Sequence, residues 1–344
     1  MTESRSFIER DETNIIKGVA IIFMFIHHLF TFPSFWIDSV KAMYSNAQFE
    51  LFNTSFKICV PLFAFLTGYF YFFSKSKSFK YSIKKITDFW VSYLVIFALL
   101  VTTTIVLGIY QFSIAPIIKE AFALSRPTMV FCWYVIFYIG TMIVMPLFYK
   151  LTKTNDFLAV SVVSIVPMAL LFIFRNSGIS VLIALTDYLE YFSYLPCVLF
   201  GFVFAKYEIF SNCYKVLLKQ NAPVHILSGI ILMVLPVLAR GVNEYFDFLY
   251  APMFIFGLIS IVKIIKNKKF FLPLTILGKY SLLLWFLHCA FVNQLKDIIQ
   301  PVLYFPRNPV LVTIFGLGMC LAVAVVIQIP ISGINKLKNK IFQL

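Results

Sequence analysis

The chain alternates long apolar runs with short polar segments. Ten of the runs approach the roughly 20 residues that an α-helix needs to cross the hydrocarbon core of a bilayer. They lie near residues 15–32, 58–73, 89–110, 129–149, 157–174, 191–205, 224–239, 246–265, 275–295 and 309–331. The pattern predicts an all-α, polytopic membrane protein of about ten transmembrane helices, with residues 1–344 forming a single membrane domain and no soluble domain.

Composition and the N-terminal sequence agree with this prediction. Hydrophobic residues make up 61% of the 344 positions, well above the roughly 45–50% of a soluble domain. Arg5 and Arg10 precede the first apolar run, as in a secretory signal peptide, but residues 31–36 contain no small-x-small cleavage site. We therefore predict that the first run is a retained spanning helix.

The basic residues are unevenly divided between the two sides of the predicted helices. The formal net charge is +14, and with a cytoplasmic N-terminus 21 of the 29 Lys and Arg residues fall in cytoplasmic segments. The outer segments hold the other eight: Lys41, Lys57, Lys119, Arg126, Arg175, Arg240, Lys296 and Arg307. By the positive-inside rule, this split predicts a multi-pass protein of the cell (inner or plasma) membrane with both termini cytoplasmic. Its inner lysines are expected to face anionic lipid rather than nucleic acid.

Cysteines and metal-ligand patterns add little candidate chemistry. The six cysteines form no Cys-x-x-Cys pair, and five lie within or beside apolar runs, which is typical of small core residues. Cys289 beside His288 is an alternative acyl-carrying thiol, although adjacent helix positions point about 100° apart. Neither zinc-ligand spacing nor a Gly-rich phosphate loop is present in the sequence, so we expect no metal.

Two histidines lie inside apolar runs at matching depth. His28 and His288 are each about thirteen residues, or roughly 20 Å, from the same membrane face. An ionisable side chain inside a spanning helix is costly and usually functional, so the matching depth predicts one shared site. Ser281 lies seven residues before His288 on the same helix face. The alternatives are a satisfied packing histidine at position 28 and a hydrogen-bonded core pair at 281 and 288.

Lys17 lies on the same helix face as His28. Eleven residues, about 16 Å, separate the two, whereas His27 is turned about 80° away. A cation at the inner surface, in line with a deep imidazole, suits an elongated donor whose phosphates stay on the cytoplasmic side, and coenzyme A has that shape. Snorkelling of Lys17 at a helix end is the alternative.

Aromatic and acidic residues gather near the predicted outer face. They are Trp133, Tyr134, Asp187, Tyr188, Glu190, Tyr191 and Tyr194. Aromatic faces beside carboxylates suit sugar stacking and hydroxyl hydrogen bonds, which makes Trp133, Tyr134 and Glu190 candidate acceptor-binding residues. The competing interpretation is an interfacial aromatic belt, which forms without any ligand.

Four segments form a recognisable set in order along nearly the whole chain. Residues 14–28 contain a basic residue, Lys17, then ten residues, then His28. Residues 61–69 are Phe-rich and end in Thr-Gly-Tyr, residues 131–134 read Phe-Cys-Trp-Tyr, and residues 277–288 run Leu-Gly-Lys-Tyr-Ser through to His. Together they resemble the motifs of the acyltransferase 3 family, the bacterial integral membrane O-acyltransferases that include O-antigen acetylases.

The resemblance implies transfer of an acyl group, most often acetyl, from cytoplasmic acyl-CoA to a hydroxyl of a surface polysaccharide or lipid-linked glycan. In that reaction His28 is expected to be the general base. His288 would orient the acceptor or donate to the developing oxyanion, with Ser281 as its hydrogen-bond partner. Lys17, with Lys84 and Lys85, would hold the CoA phosphates. Direct transfer and an acyl-histidine relay fit the sequence equally well.

The chain departs from the family pattern at two places. Asn14 stands where an acidic residue is usual, and Lys84 and Lys85 stand where Arg-x-x-Arg is expected. Some relatives carry an extracytoplasmic hydrolase-like domain; the chain ends at Leu344 without one, so its membrane domain is expected to complete the transfer alone. The alternative from another class is a proton-coupled secondary transporter or glycan flippase with both histidines as a relay, although the sequence offers no matching pair of broken helices.

Overall fold

The computed structural model describes residues 6–44, 52–125, 129–131, 133–265 and 267–342, so Cys132 lies outside the described residues. Within the described part every regular element is helical and no β-strand occurs. Nine helical runs there are long and apolar enough to cross a membrane, and one interrupted pair, Lys268–Lys279 with Ser281–Gln294, brings the number to ten. The prediction of an all-α polytopic membrane protein is confirmed.

The helices follow one another through short connections. The first eight are α1 (Arg10–Phe30), α2 (Asp38–Tyr44), α3 (Cys59–Phe72), α4 (Phe79–Val106), α5 (Ile114–Ala121), α6 (Tyr134–Leu151), α7 (Asp156–Arg175) and α8 (Ser180–Leu189). The others are α9 (Leu195–Lys206), α10 (Ile209–Leu217), α11 (Ala222–Val242), α12 (Asp247–Ile264), α13 (Leu272–Lys279), α14 (Ser281–Cys289), α15 (Lys296–Leu303) and α16 (Pro309–Phe342). Short 3₁₀ segments cover Pro33–Phe35, Ser55–Ile58, Glu190–Tyr194 and Lys268–Phe271, and Ala290–Gln294 is π-helical.

The ninth predicted span is not one continuous helix. The sequence pattern predicted a single run over residues 275–295, but α13 ends at Lys279 and α14 begins at Ser281. The interruption is local, because Tyr280 between them takes φ −98° and ψ 8°, which lies in the sparsely populated bridge region rather than in the α region. The run also changes to π-helical geometry after Cys289.

The chain divides into two compact units, each assembled from three separate stretches. The first contains residues 1–20, 58–83 and 136–278, and the second contains residues 21–57, 84–135 and 279–344. Several helices begin in one unit and end in the other.

In the first unit, α3 and α9 cross at very close range. A Cβ at Gly68 would overlap the carbonyl of Val198, and a Cβ at Gly201 would overlap the carbonyl of Phe65. Small residues at a crossing allow two backbones to approach in this way, which is a common packing device in membranes. The Gly68 of the Phe-rich motif is therefore explained by helix packing.

A second reciprocal glycine contact in the first unit joins α1 to α13. A Cβ at Gly18 would overlap the backbone of Leu274, and one at Gly278 would overlap the backbone of Asn14. These glycines belong to the opening motif and to the late Leu-Gly motif of the sequence. The two motifs therefore touch through their backbones, and the contact makes no use of the Asn14 side chain.

Ion pairs also tie elements of the first unit together. Lys263 bonds to Glu12 at 2.7 Å, and Lys206 bonds to Asp156 at 2.7 Å. Arg240 and Asp247 form a buried pair with 3.4 Å between Nε and Oδ1. Arg240 also bonds to Glu244 at 3.0 Å, so these contacts join the end of α11 to the start of α12.

Candidate active site

The second unit brings the two predicted histidines together. Helix α1 carries His28 and α14 carries His288, and the two ring centroids lie 4.6 Å apart with 37° between the ring planes. Both side chains are buried, and His288 has no exposed surface. The two residues that the sequence placed at matching depth are therefore in contact. Their shared functional site and their chemical roles stay predictions.

Each of the paired rings is oriented by a carbonyl in its own helix. His28 Nδ1 lies 3.0 Å from the carbonyl of Met24, and His288 Nδ1 bonds to the carbonyl of Trp285. A carbonyl oxygen only accepts, so each Nδ1 must carry the proton. In each neutral ring Nε2 is therefore the basic nitrogen. When Nε2 takes a proton, the carbonyl bonded to Nδ1 stabilises the imidazolium that forms.

Aromatic rings surround the histidine pair. Phe131 lies 4.2 Å from His28 and stacks on His288 at 5.4 Å, while Phe32 stacks on His28 at 5.8 Å. Phe25 approaches His288 from another side, at 6.3 Å. These rings bury the pair, and in a low dielectric hydrogen bonds and charges act more strongly.

The Nε2 of His288 is buried and has no hydrogen-bond partner within the described part of the chain. A buried polar atom without a partner costs about 1–3 kcal/mol. Such atoms are uncommon in folded proteins, and each one calls for an explanation. A basic nitrogen kept free beside a second imidazole is suited to accept a proton from a reacting group.

His27 is held differently from His28. Its Nδ1 lies 3.2 Å from the carbonyl of Asn53 and 3.3 Å from the hydroxyl of Thr31. Its ring meets His28 edge-on at 5.1 Å. These contacts tie α1 to the segment that precedes α3.

The last turn of α1, just after His28, is fixed by two aromatic donors. The carbonyl of Leu29 cannot bond to residue 33, because Pro33 has no N–H. Instead it accepts from Trp36 Nε1 at 2.8 Å and from the Tyr304 hydroxyl at 2.7 Å. Burial raises the pKa of Tyr304, so its hydroxyl remains a neutral donor.

Gln300 links the segments on either side of the site. It is fully buried, accepts from the Ile37 N–H at 3.0 Å and donates to the carbonyls of Phe35 and Val292 at 2.9 and 3.0 Å. Val292 belongs to the π-helical turn that follows α14. A π-turn leaves irregular backbone carbonyls, and Gln300 satisfies one of them a single turn beyond His288.

The structure places the other predicted chemical residues farther from the pair. Ser281 is buried at the start of α14, about 10 Å from His288 along the helix axis. Lys17 is half-buried in the part of α1 that belongs to the first unit. Lys84 is half-buried and Lys85 exposed, both in the second turn of α4. The role of Ser281 as a hydrogen-bond partner and the roles of Lys17, Lys84 and Lys85 toward an acyl donor stay predictions.

The predicted acceptor-binding residues separate into two groups. Tyr134 is buried against Trp285 with 5.1 Å between centroids, and Trp285 in turn contacts His288 at 6.5 Å. Trp133 lies against Tyr134 at 6.0 Å. Glu190 belongs to the first unit, where it forms an ion pair with Arg175.

A comparison with known families decides the class of the protein. The family model described as an acyltransferase domain, acyltransferase 3, matches residues 10–329. The chain belongs to the acyltransferase 3 family. It is a multi-pass membrane acyltransferase. No curated protein and no solved structure matches the chain.

Several site residues of this acyltransferase escaped the sequence analysis. Phe131 was noted only as part of a motif, and Trp285, Asn53 and Gln300 not at all. Phe131 could have been proposed as a site residue, since it belongs to the same motif as Trp133. In the described part of this acyltransferase, no group of three or more His, Cys, Asp or Glu residues is arranged to hold a metal ion.

Proposed function

We propose that this acyltransferase moves an acetyl group from cytoplasmic acetyl-CoA to a hydroxyl of a surface polysaccharide or lipid-linked glycan. The observation that carries the proposal is the buried pair of His28 and His288, 4.6 Å apart, each with its Nδ1 bonded to a carbonyl. This arrangement leaves two basic nitrogens in a dry aromatic surround. A sugar hydroxyl is a weak nucleophile and needs such a base.

In the proposed reaction, His28 Nε2 takes the proton of the acceptor hydroxyl as its oxygen attacks the thioester carbonyl. The new C–O bond forms and the C–S bond breaks. The CoA thiolate leaves and recovers the proton from the imidazolium. His288 orients the acceptor or, when protonated, donates to the oxyanion of the tetrahedral intermediate. Acetyl-CoA is therefore a co-substrate, and the reaction needs no metal.

The donor is proposed to enter from the cytoplasmic side with its phosphates at Lys17. Lys17 lies eleven residues before His28 on α1, about 16 Å along the axis. The uneven division of Lys and Arg supports the orientation that makes the Lys17 end cytoplasmic. Lys84 and Lys85 are proposed as further phosphate contacts through charge-assisted hydrogen bonds.

For the acceptor, Trp133 and Tyr134 are proposed to provide aromatic surface. The chain of ring contacts from Tyr134 through Trp285 to His288 supports this, because it connects the proposed aromatic surface to the histidine pair. Glu190 is proposed as a hydroxyl acceptor at the outer surface. The aromatic-belt interpretation of the same residues predicts that their replacement leaves the acceptor KM unchanged.

The proposal is tested with membranes that contain the protein, acetyl-labelled CoA and the surface glycan of the host cell. We expect label in the glycan as an ester that mild base releases, and none with the His28→Gln variant. Label transfer to lipid or protein alone would overturn the acceptor assignment. Glycan or proton flux without any acylation would favour the transporter.

A further inference from the structure

Glu120 is a buried carboxylate in the second unit and has no assigned role. It lies in the last turn of α5 and is only 1% exposed. Its Oε1 accepts the backbone N–H of Met129 at 2.6 Å. Burying a carboxyl group is costly unless its oxygens are bonded, so a carboxylate at this position needs a reason beyond packing.

The helix that carries Glu120 is itself held firmly. The Tyr93 hydroxyl donates to the Glu120 carbonyl at 2.6 Å, and Trp90 Nε1 donates to the Ala121 carbonyl at 3.0 Å. These are two of the C-terminal carbonyls that a helix cannot satisfy internally. Both donors come from α4, so α5 and its carboxylate have a fixed position within the second unit.

Met129 connects Glu120 to the histidine pair through the backbone that leads to Phe131. It is completely buried, and two residues later the ring of Phe131 contacts both His28 and His288. We propose that Glu120 is a positioning residue: its side-chain oxygen fixes the backbone at Met129 and thereby holds Phe131 against the two histidines. The inference rests on the proposed function, because it assumes that the histidine pair is the reacting centre.

Two conservative variants of Glu120 distinguish a need for its hydrogen-bond acceptor from a need for its negative charge. Glu120→Gln keeps a side-chain oxygen at the same reach, whereas Glu120→Asp keeps the carboxylate but is one methylene too short. We expect Glu120→Gln to retain most of kcat and Glu120→Asp to lose about 10- to 100-fold, with the KM for acetyl-CoA unchanged, because a misplacement of about 1 Å can cost 10²-fold. Lys119→Ala, on the exposed side of the same helix, is the matched control. The opposite ranking of the two variants would overturn the proposal.

A double-mutant cycle tests whether Glu120 acts through Phe131. If it does, adding Glu120→Asp to Phe131→Ala should cost little beyond Phe131→Ala alone. Additive losses would contradict the proposed route.

A readout without turnover keeps this inference separate from the reaction. The chain has four histidines, so a protein labelled at the histidine Cε1 gives few NMR signals. Glu120→Asp and Phe131→Ala should shift the same two signals through the changed ring current, and Glu120→Gln should shift neither. Unchanged spectra in Glu120→Asp would overturn the positioning role, whereas shifted spectra in a protein without acetyl transfer would overturn only the proposed function.

Discussion

Replacing His28 or His27 with glutamine gives a matched pair of perturbations at adjacent positions. Both side chains are buried, at 7% and 4% exposure, and both bond to a backbone carbonyl through Nδ1. Glutamine retains polar donors and much of the volume but has no basic nitrogen. The two variants therefore differ in chemistry far more than in packing.

The expected magnitudes follow from these contacts. His28→Gln puts the bond to Met24 at risk and His27→Gln the bonds to Asn53 and Thr31. At about 1 kcal/mol for each bond, both variants should remain folded. Loss of a general base typically costs 10²–10⁴ in rate, which is about 3–5 kcal/mol of transition-state stabilisation at 1.36 kcal/mol per tenfold. His28→Gln should show this loss, and His27→Gln should keep substantial activity.

The assay is acetyl transfer per amount of folded protein, with folding judged by a monodisperse elution profile and the unfolding temperature in detergent. His288→Gln should fall between the two variants or match His28→Gln. Substantial transfer by folded His28→Gln would refute the mechanism while leaving the family assignment intact. Equal loss in His27→Gln and His28→Gln would show that packing of the cluster, rather than one base, limits the rate.

Three further predictions concern the donor, the fold and the topology. Lys17→Ala should raise the KM for acetyl-CoA more than that for the acceptor, and Lys17→Arg should retain much of the activity; equal effects on both substrates would make Lys17 structural. Gly278→Ala should lower the unfolding temperature, by overpacking worth about 1–3 kcal/mol, whereas Gly333→Ala, which meets no atom within 4 Å, should not; equal behaviour would contradict the close crossing. Single cysteines that replace the exposed Lys41 or Lys119 should react with an impermeant reagent added from outside. Cysteines that replace the exposed Lys80 or Lys268 should not react, and the reverse pattern would invert the topology.

The sequence was sufficient to predict the histidine pair because helical geometry is regular over short distances. Counting residues from the polar boundary gave the depth of His28 and His288, and the depth alone predicted that they meet. The same regularity separated His28 from His27. The prediction needed no knowledge of which helices are neighbours, since an ionisable group in lipid must find a polar partner.

The surroundings of the pair could not be predicted in this way. Trp36 and Tyr304 are separated by more than 260 residues, yet both donate to the carbonyl of Leu29. Pro33 shows from the sequence that the Leu29 carbonyl has no N–H partner four residues later. The local sequence does not indicate which donors take the place of that N–H. The interruption at Tyr280 and the π-turn after Cys289 are hidden for the same reason, because long-range contacts stabilise conformations that local propensity does not favour.

The motif from Lys17 to His28 contains a glycine required for helix packing and two residues proposed to act in the reaction. The structure distinguishes these two requirements. Gly18 is needed because the backbone of Leu274 approaches it, and the reciprocal approach of Asn14 to Gly278 uses backbone atoms alone. An acidic side chain at position 14 is therefore not required for this crossing. Lys17 is a half-buried cation and His28 a buried base on the same face of α1. A substitution at Gly18 or Gly278 should act first on folding, and one at Lys17 or His28 first on turnover.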